Sequence, residues 1–99
     1  MPTKKSKGVD VGALLAGREK RYGAFKDHAV VSQGLQDVMH AAPGWTRLAP
    51  DQREALIMDC HKTARILNGD PNYLDNWVDK AGYITLVINR LEAEHAAKP

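Results

Sequence analysis

"HKTARILNGDPNYLDNWVDKAGY", His61 to Tyr83, decides the fold. Its centre, "NGDPN" at 68–72, sets a glycine, an aspartate and a proline between two stretches of helical spacing. Such a cluster reads as a tight turn, so the segment is two helices folded into a hairpin. Lys62 and Arg65 stand three apart on the first helix, and Asp75 and Asp79 stand four apart on the second. Cations facing acids across a hairpin allow two readings. They form interhelical salt bridges, which at a surface contribute about 0–1 kcal/mol each. Alternatively they are half of a pocket, with the cations on phosphate oxygens and the acids on a base, a ribose or a metal. Charge reversal at Asp79 separates the two, since a pocket would lose its ligand and a structural pair would lose stability.

Outward from the hairpin, helical spacing continues in both directions. "PDQREALIMDCHKTARIL", about 50 to 67, has an apolar stripe at Leu56, Cys60, Ala64 and Leu67, with Ile57, Met58 and Ile66 off it. A helix apolar nearly all round is a central one. The last helix, about Tyr73 to Glu94, carries Trp77, Ala81, Ile84, Ile88 and Leu91 on one face, which the spacing assigns to the core. Asp75, Asp79, Gly82 and Leu86 fall opposite, with Tyr83 and Arg90 at the edge. A glycine in mid-helix beside the acids suggests close approach of another helix or a ligand.

Upstream, "PGWTRLAP" is a loop in which Pro43 and Gly44 end one helix and Pro50 opens the next. Trp45 within it is a lid or an oligomer contact. "KDHAVVSQGLQDVMHAA" places Val31, Leu35, Val38 and Ala42 on one face. Asp10 is the expected N-cap of a first helix through "VGALLAGREKRY", and Gly23 in "RYGAF" is its expected break. The expected architecture is all-α, an antiparallel bundle of three to four helices. Residues 1–9 read as a disordered basic tail, 10–94 as a single helical domain and 95–99 as a frayed tail. A core drawn from roughly 80 residues is thin, so completion by a homo-oligomer is expected.

Composition narrows the function. The 99 residues carry a net charge of +2 and no basic stripe suits nucleic acid, so binding nucleic acid through "KKSK" and "REKR" is a third, minority reading. Cys60 is the lone cysteine, which excludes an intramolecular disulfide and fits a reducing cytoplasm. No apolar run is long enough to span a membrane, and the basic N-terminus is not followed by the apolar core of a signal peptide. Cys60 and His61 are adjacent, so on a helix they cannot share a metal, and no CxxC, HExxH or Walker-type glycine loop occurs. A magnesium site built on helices needs three or four converging acids. Only Asp75 and Asp79 are well placed, with Glu19, Asp27 or Asp59 as further candidates, so no metal site is assigned and magnesium stays open as a companion of phosphate.

A second charged stretch, "GREKRYGAFKDHA", gathers Arg18, Lys20, Arg21, Tyr22, Phe25, Lys26 and His28 around Gly23. Cations and aromatics at a break suit a phosphate and a stacked ring; a solvated face with two core aromatics is the alternative. Taken in order, Arg18, Lys20, Tyr22, Gly23 and His28, then Lys62, Arg65 and Gly69, then Asp75, Asp79, Ala81, Gly82 and Tyr83 resemble a family of short, all-helical phage and prophage proteins likened to MazG-type nucleotide pyrophosphohydrolases. Ala24 and Asp27 stand where that family commonly has an acid and an asparagine, and the paired-glutamate metal signature of MazG is absent. "KTARILNG…DKAGY" is also similar to a phage nucleotide kinase family lacking a Walker loop. Both resemblances imply a nucleotide or nucleotide-like phosphorylated ligand.

The expected ligand site is therefore Arg18, Arg21, Tyr22, His28, Lys62, Arg65, Asp75, Asp79 and Tyr83. Lys62, Arg65 and Arg18 would hold phosphate, Tyr22 or Tyr83 the base, and Asp75 and Asp79 a cation, a ribose or a metal. For a phage protein this means sequestering a cyclic nucleotide signal of host defence or acting on its phosphates. The alternative is a non-enzymatic adaptor or inhibitor that buries its second apolar faces on a host protein.

Overall fold

Asp10 opens the first helix through its own side chain, whose Oδ1 accepts a hydrogen bond from the Ala13 N–H at 3.1 Å. That satisfies one of the amide donors left over at any helix start. The computed structural model describes residues 10–98, in which four α-helices follow one another: α1 (Val11–Tyr22), α2 (Phe25–Ala41), α3 (Pro50–Asn68) and α4 (Leu74–Ala97). A 3₁₀ turn, Pro43–Arg47, joins α2 to α3 where the prolines predict a loop. Pro50 takes the first position of α3, and Gln52 Oε1 reaches back to the Ala49 N–H at 2.8 Å. The chain is all-α, as its spacing predicts, and no strand occurs among the described residues. The expected basic tail at 1–9 lies outside the described residues. At the other end α4 runs on to Ala97 rather than ending near Glu94, through alanines that favour the helix.

α3 is the central helix and packs against each of the other three. Its partnership with α4 is the hairpin expected from "NGDPN", and ion pairs run along it. Lys62 Nζ sits 2.9 Å from Asp79 Oδ2, and Lys80 Nζ sits 2.8 Å from Asp59 Oδ1 and 2.6 Å from Thr63 Oγ1. Farther along, Arg90 grips both oxygens of Asp51 at 2.6 and 2.9 Å and also holds Glu94. Asn76 is the largest fully buried side chain, at 1% exposure.

The expected apolar face of α4 is thereby turned away from α3. Trp77, assigned to the core by spacing, is 50% exposed, and Ile84 and Ile88 are 38% and 46% exposed. The reason is electrostatic: Asp79, Lys80 and Arg90 each find a partner of opposite charge on α3, and a helix can point only one side at a neighbour. α2 departs in the same way, burying His28 and Ser32 while Val38 of its expected face is 73% exposed. Leu67 of the α3 stripe is exposed too. Among the described residues the buried apolar core is only Ala55, Cys60 and Ala64.

Two breaks in the chain meet at one end of α3. Gly23 has φ 80° and ψ −179°, a conformation open essentially to glycine. A Cβ there would collide with the carbonyl oxygen of Asn68, and one on Gly69 would collide with the backbone of Arg21 and Tyr22. Asn68 ties the two breaks together, its Nδ2 donating to the carbonyls of Tyr22 at 3.2 Å and Ala24 at 3.0 Å. The Asp70 N–H donates to the Arg21 carbonyl at 2.7 Å.

Gly23→Ala should therefore lose at least about 1–3 kcal/mol of stability from backbone strain. Asn68→Ala, which orphans two carbonyls, should lose about 1–3 kcal/mol. At roughly 4–8 °C per kcal/mol for a chain of this size, both should show as clear drops in thermal midpoint, measured by circular dichroism.

Candidate functional site

The crossing of the two breaks holds Tyr22 and Arg65 together. Arg65 lies on α3 one turn before Asn68, and its guanidinium sits 4.1 Å from the centre of the Tyr22 ring. Arg21 stands 5.5 Å from both Tyr22 and Tyr73, and the two tyrosine rings meet edge to face at 6.0 Å. Above this cluster α1, α2 and α3 enclose an open cleft of about 540 Å³. That volume lies within the range of small-molecule sites. Its polar lining is Arg18, Glu19, Tyr22, His28, His61 and Arg65; Leu15 and Phe25 supply apolar walls.

His28 and His61 form the floor. His28 Nε2 lies 3.1 Å from His61 Nδ1, with the rings nearly perpendicular, and the Phe25 ring stacks on His28 at 5.8 Å. One proton serves that contact, because two facing N–H groups would repel. His28 is buried, at 4% exposure, and its Nδ1 has no partner. Burial and the Arg65 charge push both imidazoles toward the neutral form, His61 down to about 4 with His28 and Lys62 adding to the effect. At neutral pH the site is thus two guanidinium residues beside two uncharged imidazoles. Neither Arg18 nor Arg65 forms an ion pair among the described residues.

The nine expected site residues divide. Arg18, Tyr22, His28 and Arg65 line one cleft, while Arg21 is outside its lining and stands over the Tyr22 and Tyr73 rings. Lys62, Asp75, Asp79 and Tyr83 do not join them. Lys62 and Arg65 are three apart, yet Lys62 turns to α4, where it is buried against Asp79. Asp75 accepts a hydrogen bond from the Tyr73 hydroxyl at 3.2 Å in solvent. Tyr83 is half-buried on α4, outside the cleft lining. Tyr22, expected to take a base, already carries Arg65 on its ring, and the open aromatic surface belongs to Phe25, 78% exposed. The space beside Gly82 is open, so among the described residues no element makes the close approach expected there. No three of His, Cys, Asp and Glu gather where they could hold a metal ion, among the described residues.

His61 and Phe25 were not among the expected site residues. A signal for His61 was present in the spacing: His61, Arg65 and Asn68 recur at four and three, one stripe of α3, and all three touch α1, α2 or the break between them. Phe25 carried a signal too, as one of the aromatics gathered around Gly23 in "GREKRYGAFKDHA", but its place in the cleft wall follows from the turn at Gly23. Comparisons with known protein families, with characterised proteins and with solved structures find no match to this chain.

Two outcomes follow. An unfolded histidine titrates near 6.5, whereas His61 in the fold titrates at about 4. Between those values the unfolded chain takes up a proton that the folded chain refuses, so stability should fall as pH drops from 6.5 toward 4 and be independent of this group above that window. Melting temperatures from pH 7.5 to 4.5 should show the decline, and His61→Gln should flatten it. Asp79→Ala strips a buried ammonium of its partner and should cost about 1–3 kcal/mol in chemical denaturation, because the desolvated charge stays behind.

Proposed function

We propose that the α1–α2–α3 cleft binds a small phosphorylated molecule bearing a flat ring, of the nucleotide or cyclic nucleotide class. One observation carries the reading: two arginines without carboxylate partners among the described residues, Arg18 and Arg65, share a cleft with an exposed phenylalanine and a neutral histidine pair. A guanidinium fork matches phosphate oxygens, and a phenyl face accepts a base. The imidazole of His61 offers a hydrogen bond at the floor, and Glu19 can accept from an amino or hydroxyl group. Lys62 and Asp79 lie outside this site and serve the fold. Among the described residues the cleft lining holds one acid, Glu19, fewer than magnesium-assisted hydrolysis draws on, which favours sequestering the ligand over acting on its phosphates.

A protein–protein adaptor is the second reading. The observation favouring it is the apolar surface left in solvent on α2, where Val30 and Val38 are 69% and 73% exposed.

The test is a thermal-shift panel of nucleoside mono- and triphosphates and cyclic di- and trinucleotides, with and without magnesium. One class should raise the midpoint by several degrees, since a ligand bound only by the folded state stabilises it. Arg18→Ala and Arg65→Ala should abolish the rise, and Arg47→Ala, on the distant 3₁₀ turn, should keep it. Ligand recovered intact marks sequestration, and altered ligand marks turnover. A flat panel would remove the cleft reading and leave the adaptor.

A further inference from the structure

Leu74, Trp77, Ala81, Ile84, Ile88 and Leu91 follow one another along α4 at intervals of three, four, three, four and three. That alternation is the 3.5-residue repeat of a coiled-coil seam, and its natural complement is another helix. α3 does not fill this role, because it covers the side of α4 that carries Asn76, Asp79 and Lys80. Leu74, Trp77, Ile84 and Ile88 stay 38–69% exposed, and neighbouring Val78 is 55% exposed. The Trp77 indole is nevertheless fixed, since its Nε1 donates to the Pro71 carbonyl at 2.8 Å. The ring therefore offers a rigid apolar surface to solvent.

We propose that this seam is covered by α4 of a second copy of the chain, antiparallel, about a two-fold axis near Gly82 and Tyr83. Three observations select that occupant. The buried apolar core of the described residues is Ala55, Cys60 and Ala64 alone, little for four helices, so covering the seam adds apolar burial that one copy lacks. A second copy is the one helix present whenever the first is.

The seam is also self-complementary in one direction. Antiparallel, Leu74 layers on the partner's Leu91, Trp77 on the partner's Ile88 and Ala81 on the partner's Ile84. Small thus meets large at the centre, and no charged residue falls among the six. Parallel and in register, Trp77 would meet its own image and the two Ala81 would leave a void.

Area agrees. From the side-chain areas implied by transfer energies and from the size of an indole, the five exposed side chains give roughly 300 Å² of apolar surface per copy, about 600 Å² per pair. Homodimer interfaces are about 65% apolar, so the whole contact is near 900 Å². A specific interface needs on the order of 1,000 Å².

Light scattering on the full chain, with Ile84→Glu beside it, tests the pairing. The wild type should have the mass of two copies or an even multiple. Ile84→Glu should lower that mass while circular dichroism shows the helix content of the wild type, because Ile84 already meets solvent over 38% of its surface. A monomeric or odd-numbered wild type, or a mass unmoved by Ile84→Glu, would overturn the proposal. Direction is read by disulfide formation after chain exchange. Leu74→Cys mixed with Leu91→Cys should cross-link, while Leu74→Cys alone should not, its two sulfurs lying about 26 Å apart at 1.5 Å per residue. Self-linking of Leu74→Cys would overturn the antiparallel register.

Discussion

The structure depends on the side-chain amide of Asn68. It donates to two carbonyls on either side of Gly23, and so clamps the break between α1 and α2 onto the break between α3 and α4. Glycines at 23 and 69 are what allow backbone to approach backbone so closely there. Without that clamp α1 would have little to hold it, because none of its residues is buried. With it, Tyr22 is set under Arg65, and the cleft opens between the three helices that converge on the clamp. One hydrogen-bonding side chain thus places both the fold's weakest helix and its most distinctive cavity.

A second constraint runs along the α3–α4 hairpin, where charge outweighs apolarity in deciding orientation. Each of Lys62, Lys80 and Arg90 meets a carboxylate across the gap, and Lys62 is nearly buried in doing so. Charges taken out of water have to be paired, and once paired they resist rotation of the helix. The consequence is a helix that presents aliphatic and indole surface to solvent. Such a surface is costly in a lone chain and useful in an assembled one, and the thin core gives assembly a physical motive.

Within the cleft, electrostatics are set by what is absent from the neighbourhood of the arginines. Arg18 and Arg65 lack carboxylate partners among the described residues, and Arg65 instead rests on an aromatic ring. The two histidines beneath stay uncharged because burial and Arg65 disfavour protonation. An anion entering the cleft would relieve the unpaired positive charge and would favour imidazole protonation, coupling its binding to pH.

Local chemistry legible in the sequence sets the helices and their ends, except the last turn of α4. Asp10 caps, Gly23 breaks, Pro50 opens and "NGDPN" turns through local backbone chemistry that needs no tertiary partner. The sequence also marked Arg18, Tyr22, His28 and Arg65, because cations and aromatics beside a break are visible as composition. Only the tertiary structure decided which side of each helix faces inward. Periodicity locates an apolar stripe, but it does not weigh that stripe against three ion pairs on the opposite side of α4. For the same reason Lys62 and Arg65, three apart on one helix, were separated into a structural pair and a cleft residue. His61 lies on the same stripe of α3 as Arg65 and Asn68, a spacing visible in the sequence, but its contact with His28, 33 positions away, exists only because the fold lays α2 across α3.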